Sequence, residues 1–261
     1  MTGTVLHCGA CGAQLLPADR FCERCGAQTD AGAPDAVDLG RAAAVTDAGH
    51  LRGRNEDAFH LATVGEATVA VVCDGVSTSD APDLAARRAA DAAGTALADG
   101  VADDAAIAAA VVAARIAVRK LPVAGYGSLG APSCTIVCCV ARPGLAVVGW
   151  VGDSRAYWAS GAETRLLTSD DASDNQLTRW IGADAPAKPA RVITLVPAAP
   201  GRLVLCSEGF WNYAPAPDEV RGLVRAEATA GEVARTLLQT ALERGGRDNI
   251  TVAVIDVEAH A

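Results

Sequence analysis

The sequence predicts an α+β domain, on three observations. Short strand-like segments come in runs, and the runs are interrupted by pairs of helical stretches, where a parallel α/β sheet would alternate strand with helix. Half of the 261 residues are hydrophobic (51%), enough for a well-buried core, yet aromatics are only 4%, so helices should pack through thin, alanine-rich faces. Strands are expected at 41–47, 57–63 and 67–73. Asp80 is placed to cap a helix that tolerates Pro82 in its first turn and runs through DLAARRAADAAGTALA. A second helix over 103–119 carries Ile107, Val111 and Val118 among alanines. Strands resume at 134–141, 145–151, 155–159 and 164–168. After a short segment, 170–176, the LTRW stretch reads as helix. Strands at 192–196 and 203–206, helices at 218–226 and 230–243, and a last strand at 249–257 complete the pattern.

Organisation along the chain is equally readable. Residues 1–26 form a cysteine module, 27–40 (AQTDAGAPDAVDLG) has linker composition, and 41–258 is the main domain. Cys8-x2-Cys11 and Cys22-x2-Cys25 are two knuckles, each followed by a glycine, Gly12 and Gly26, that lets the backbone turn both thiolates onto one metal. Four thiolates give a closed tetrahedral site, so one structural Zn²⁺ is expected, and a segment this short needs it to fold. A pair of redox CxxC motifs is the bland alternative, disfavoured because neither knuckle sits in a strand-to-helix unit. Nine cysteines, an odd number, argue against a disulfide framework.

No stretch reaches the roughly 18 apolar residues of a membrane span, and no basic segment followed by an apolar run opens the chain, so a cytoplasmic protein is expected. A net charge of −9 argues against a nucleic-acid partner, and the ribbon, with two Arg against three acids in residues 1–30, is expected to dock protein.

The chemistry lies in four segments that place acids at strand ends or tight turns: RGRNED (52–57), VVCDG (71–75), LVLCSEG (203–209) and GGRDNIT (245–251). An acid at the end of a buried strand is costly unless something pairs with it. One such acid is commonly a helix cap, the plain reading for Glu208 alone, but the repeated design of strand, acid and glycine at Asp74 and Glu208 is harder to dismiss. Carboxylate-rich sites without histidine favour hard cations, Mg²⁺ or Mn²⁺, and two such ions can make a shared water nucleophilic near neutral pH.

In this order, RGRNEDAF, VVCDGV, VGDSRAYW, LTRWIGAD, LVLCSEGFW and GGRDNITV resemble the motifs of the protein phosphatase 2C-like, metal-dependent family. The resemblance spans nearly all of 41–257. It implies a sandwich of two antiparallel sheets flanked by helix pairs, and hydrolysis of phosphoserine and phosphothreonine in proteins by a two-metal site holding Mn²⁺ or Mg²⁺. Asp74 would bridge the metals, the Gly75 carbonyl would bind one, and Asp248 the other, with Glu208 where the family usually has aspartate. Glu56 and Asp57 would hold metal-bound waters, Arg52 would grip the substrate phosphate, and Asp153 matches an acid linked to an accessory third metal. Partners would be phosphorylated proteins, the products of Ser/Thr kinases.

Three departures bear on activity. Glu208 is one methylene longer than the usual aspartate. After Asp74-Gly75 the chain reads Val76-Ser77-Thr78-Ser79 and offers no general acid. The segment at 170–176 is short where the family often carries a longer flap. These motivate a second reading, a catalytically weak phosphatase-fold scaffold that binds phosphoproteins and docks through its ribbon. His50 and His60 read as structural, and Cys73 and Cys206, although beside candidate acids, as core residues.

Overall fold

The computed structural model describes residues 6–7, 14–15, 24, 35–122, 130–161, 163–174, 176–186 and 188–260. The chain divides into two units, Met1–Pro34 and Asp35–Ala261. In the first, β1 (Leu6–His7) and β2 (Gln14–Leu15) pair antiparallel, Leu6 opposite Leu15. The cysteines expected to hold zinc, Cys8, Cys11, Cys22 and Cys25, lie outside the described residues.

In chain order the second unit contains β3 (Asp35–Asp38), β4 (Ala42–Asp47), β5 (Asp57–Val64), β6 (Ala67–Asp74), α1 (Pro82–Ala96), α2 (Asp104–Arg119), β7 (Ser133–Cys134), β8 (Ile136–Arg142), β9 (Leu145–Val151), β10 (Arg155–Ser160), β11 (Thr164–Leu166), β12 (Ala172–Ser173), β13 (Gln176–Leu177), β14 (Ile181–Gly182), β15 (Arg191–Leu195), β16 (Gly201–Cys206), α3 (Glu208–Trp211), α4 (Pro217–Leu223), α5 (Ala230–Glu243) and β17 (Ile250–Val257). A six-stranded antiparallel sheet has the order β11-β10-β16-β17-β4-β3, and a five-stranded one β15-β9-β8-β6-β5.

The sheets pack face to face because their long strands are apolar on both sides, and successive residues face opposite ways. On β6, Ala70 and Val72 point between the sheets, and Val69, Val71 and Cys73 point to the helices. On β17, Ala253, Ile255 and Val257 face inward, and Ile250, Val252 and Val254 outward. The inter-sheet core is completed by Trp150, Trp158, Leu203 and Leu205. Outside it, α1 and α2 cover the five-stranded sheet, and α3, α4 and α5 cover the other. This is the sandwich with flanking helices that the resemblance implied. No helix among the described residues is long and apolar enough to cross a membrane.

Three expectations need correction. Asp35–Asp38, placed in the linker expected over 27–40, forms β3 and extends the sheet beside β4, Asp38 opposite Ala43, while 27–34 lie outside the described residues. Asp80 is not the cap of α1. The cap is Ala81 in the left-handed conformation (φ 45°, ψ 53°), and the helix starts at Pro82, whose fixed φ suits a first helical position. The LTRW stretch is not helical: Leu177 ends β13, which pairs with β12 in a tight hairpin, and Ile181 begins β14, paired with Cys134 of β7. Two short strand pairs compete there with a helical period too brief to win.

The alanine faces are as thin as composition implied. On α1, Ala85, Ala86, Ala89, Ala90 and Ala93 are all fully buried. Ala89→Leu should therefore overpack the interface and destabilise the domain by about 1–3 kcal/mol, read as a lower urea midpoint at unchanged slope. Ala108→Leu, at an exposed position of α2, should stay within about 0.5 kcal/mol of the parent.

Candidate active site

The inward-facing columns of the sandwich turn polar at one rim. Ala70 and Val72 of β6 lead by the same alternation to Asp74, Phe59 and Leu61 of β5 lead back to Asp57, and Asp57 pairs with Asp74 across the two strands. On the facing sheet, Ala42 and Ala44 lead to Thr46, Ala253 leads back to Thr251, and Leu203 and Leu205 lead to Ser207. At the same rim the chain crosses between sheets from β4 to β5 through Arg52 and Glu56, from β9 to β10 through Asp153, and from β11 to β15 by way of β12, β13 and β14.

Asp57 is buried, and its Oδ2 accepts the hydroxyls of Ser207 and Thr251, each at 2.7 Å. With its proton given to Asp57, Thr251 must accept from Thr46 (2.6 Å), which in turn accepts from Asn55 Nδ2 (2.8 Å). The result is a polarised chain of donors aimed at one carboxylate. Asp57 Oδ1 has no partner.

Asn249 organises the β4–β5 crossing. Its Nδ2 donates to the carbonyls of Ala48 and Arg54, and its Oδ1 accepts from Glu56 N–H. Its own N–H donates to Asp248 Oδ1. Asp248 Oδ2 takes Arg52 Nη2 at 2.9 Å, while Arg52 Nη1 donates to Ser77. Glu56 is held by Arg54 and Ser77, and Glu208 Oε1 by Asn212 Nδ2 at 3.0 Å. Asp74 Oδ2 accepts the Glu208 N–H at 3.3 Å.

The glycines that follow the strand-end acids are there because backbone meets backbone. A Cβ on Gly75 would stand 2.7 Å from the carbonyl oxygens of Glu56 and Pro82, and one on Gly209 would stand 1.9 Å from that of Asn249.

Electrostatics match the crowding. Burial pushes the Asp74 carboxyl well above the usual range, and Asp57, Asp153, Asp248 and Glu208 push it further. Burial, then Glu208, raises Asp153 to about 7. Burial raises Asp57 to about 6 against the two hydroxyl bonds. Arg52 is held charged by its bond to Asp248.

Asp74, Asp153, Glu208, Asp248 and Arg52 line one cleft of about 900 Å³, which extends to Trp180 and the β12–β13 hairpin. Among the described residues, no three His, Cys, Asp or Glu side chains stand gathered round a single point as a finished metal cage. The donor set nevertheless fits hard cations: every candidate is an oxygen, Asp57 Oδ1 is buried without a partner, and the acids raise one another.

The structure thus brings together Arg52, Glu56, Asp57, Asp74, Gly75, Asp153, Glu208 and Asp248. Asp153 sits in the crossing between the sheets from β9 to β10. Sequence reasoning gave no role to Asn249, Ser207, Thr251, Thr46 or Asn55, and the signal available was position, since four of them lie in the motifs and Thr46 at a strand end. It also missed Arg155, which pairs with Asp170 through two bonds (3.0 and 2.7 Å) and lies over the Trp211 ring at 3.9 Å. The histidines are structural: His50 contacts the Leu242 carbonyl, and the His60 ring covers Gly94. Burial pushes the thiols of Cys73 and Cys206 far up, which removes them as nucleophiles.

The protein phosphatase 2C family model matches residues 50–246. The serine/threonine phosphatase stp of Listeria monocytogenes is 29% identical over 141 residues, 47% of this chain and 56% of that protein. The protein phosphatase PhpP of Streptococcus pneumoniae is 28% identical over 131 residues, 43% and 53% of the two chains. The chain thus spans little more than half the length of these relatives. Among solved structures, the serine/threonine phosphatase Stp1 from Staphylococcus aureus superposes with a TM-score of 0.73 at 21% identity, covering 85% of this chain and 96% of that one. The Mycobacterium tuberculosis phosphatase PstP/Ppp gives 0.65 at 23%, covering 84% and 98%. These two likenesses concern the fold.

Asn249→Ala would remove three hydrogen bonds, stranding two carbonyls and the Glu56 N–H, and should lower stability by about 3 kcal/mol by urea denaturation. The raised carboxyls set a pH dependence. Asp57 and Asp153 keep protons to about 6 and about 7 when folded, against 3.8 as the ordinary value, so the folded state binds more protons between those limits. In chelator the thermal midpoint should therefore fall as pH rises from about 4 to about 7. A midpoint that climbs through this window would contradict the assignment.

Proposed function

The chain belongs to the protein phosphatase 2C family, and we propose that it hydrolyses phosphoserine and phosphothreonine in proteins, using divalent cations held by the acids of this cleft. The observation that carries the reading is the meeting of Asp74, Asp153, Glu208 and Asp248 with Arg52 in one open cleft.

In this reading Asp74, the Gly75 carbonyl, Glu208 and Asp248 hold two Mn²⁺ or Mg²⁺ ions. Glu56 and Asp57 act through water, and Asp153 serves a third ion. Such cations, when bound, neutralise phosphoryl charge and acidify water into the neutral range. The polarised chain from Asn55 through Thr46 and Thr251, joined by Ser207, keeps Asp57 Oδ2 occupied and leaves Oδ1 as the oxygen for a water. Asn249 sets the β4–β5 crossing so that Arg52 and Glu56 stand beside Asp248. Arg52 grips the phosphoryl oxygens, for which a planar fork of donors is suited, and stabilises the charge that builds up as the ester bond breaks. No histidine or lysine is among the described residues lining the cleft, and proton delivery to the departing serine or threonine oxygen falls to water.

Substrates are phosphorylated proteins, as the names of the relatives suggest, and those names give the scaffold alternative no support. The knuckle spacing at the N-terminus supports one structural zinc, and the shortage of basic residues there favours a protein over a nucleic acid as the ribbon's partner.

Hydrolysis of a phosphothreonine peptide in Mn²⁺ tests the reading. Asp74→Asn should lose about a hundredfold or more, since several kcal/mol of transition-state charge stabilisation goes with the carboxylate. Equal activity in parent and variant would sink it. Glu208→Asp withdraws the carboxylate from Asn212 and should lose about tenfold. A gain would mean that the longer side chain handicaps the site.

A further inference from the structure

We propose that Ser77 is a positioning residue, whose hydroxyl holds the Arg52 guanidinium at the mouth of the cleft and keeps it from collapsing onto Glu56. The inference rests on the reading that Arg52 grips the substrate phosphate. It concerns a residue of the segment Val76-Ser77-Thr78-Ser79, one of the three departures read from the sequence.

The backbone fixes where Ser77 points. Ser79 N–H closes a turn onto the Val76 carbonyl (2.8 Å), Val76 N–H is held by Ser133, and Asp80 N–H by Gly130. Behind it, Gly75 N–H is tied to the Glu56 carbonyl. Ser77 is thus presented from a pinned turn, and its hydroxyl is used in both senses. It donates to Glu56 Oε2 at 2.8 Å and accepts from Arg52 Nη1 at 3.2 Å. It is the neutral link in a belt of ions that runs from Asp83 to Arg54, Glu56, Ser77, Arg52 and Asp248.

Two consequences follow from the chemistry. Arg52 has a long side chain, 38% exposed, and fixing it only when substrate arrives would subtract its rotamer entropy from binding; the Ser77 contact fixes it beforehand. Glu56 also attracts Arg52. With Oε2 occupied by the Ser77 proton and Oε1 by Arg54, Glu56 is left with less to offer, and the fork stays turned toward Asp248 and the cleft. A glycine at 77 would supply neither bond.

The test is a double-mutant cycle on the full chain in Mn²⁺ with a phosphothreonine peptide. Ser77→Ala should raise KM about fivefold, the worth of one ordinary hydrogen bond, with kcat within about twofold. Ser77→Thr, which keeps the hydroxyl, should restore the parent KM. In an Arg52→Ala background, Ser77→Ala should add nothing, because the residue acts through the arginine. An unchanged KM, or the same rise in both backgrounds, would overturn the proposal. Calorimetric affinity for the same peptide separates this failure from that of the phosphatase reading. A chain that binds without hydrolysing, and binds about fivefold more weakly as Ser77→Ala, keeps the Ser77 role and loses the activity. A chain that neither binds nor hydrolyses loses both.

Discussion

The rest of the site depends on one carboxylate that ties the two sheets together. Asp57 belongs to β5 of the five-stranded sheet, yet its Oδ2 is bonded to Ser207 and Thr251, at the ends of β16 and β17 in the other sheet. An apolar sandwich has no directional contact to fix how its sheets meet at a rim. Charge-assisted hydrogen bonds in a buried setting supply one, and they are strong because water is excluded. With the rim pinned, Asp74 stands opposite Asp57 by strand register, and Glu208 is brought to Asp74 by its own backbone N–H.

The same pinning explains how so many acids can be gathered. Left to solvent they would spread apart. Here Gly75 and Gly209 let backbones approach where any side chain would collide, and Asn249 fastens the crossing that carries Arg52 and Glu56. Stability given up to mutual repulsion is recovered in the packed layers beneath, which is the usual relation between a functional rim and its scaffold.

The acids were legible because a carboxylate at the end of an apolar strand is anomalous wherever it occurs, and Asp74, Glu208 and Asp248 each stand in that position. Strand and helix spans were legible for the same reason that the core is: long runs of one pattern. The supporting polar residues were not. Thr46, Thr251, Ser207 and Asn249 are ordinary residues in ordinary strand ends, and only the parity of the inward columns, which needs the pairing register, shows that they converge. The LTRW stretch misled because four residues hold too little periodicity to separate helix from paired short strands. Asp80 misled because its side chain had the chemistry of a cap, while the pinned turn before it set the backbone at Ala81. The bounds of the flap, drawn from the expected LTRW helix, shifted with it: the stretch between β11 and β15 carries β12, β13 and β14.

That flap is a separable part. Asp171, with its side chain 1% exposed, accepts from both Arg179 and Arg191, donates its N–H to the Gly152 carbonyl, accepts the Gly152 N–H at Oδ2, and closes the base of the hairpin through its carbonyl to Thr178 N–H. The described residues beyond that base, 172–174 and 176–177, hang from an anchor made by Asp171 with Gly152, Thr178, Arg179 and Arg191. Lengthening a loop adds only slowly to the entropy of closing it. The domain therefore carries a socket into which evolution, or an engineer, can graft hairpins of other lengths and compositions, changing what enters the cleft while leaving the frame that holds the acids unaltered.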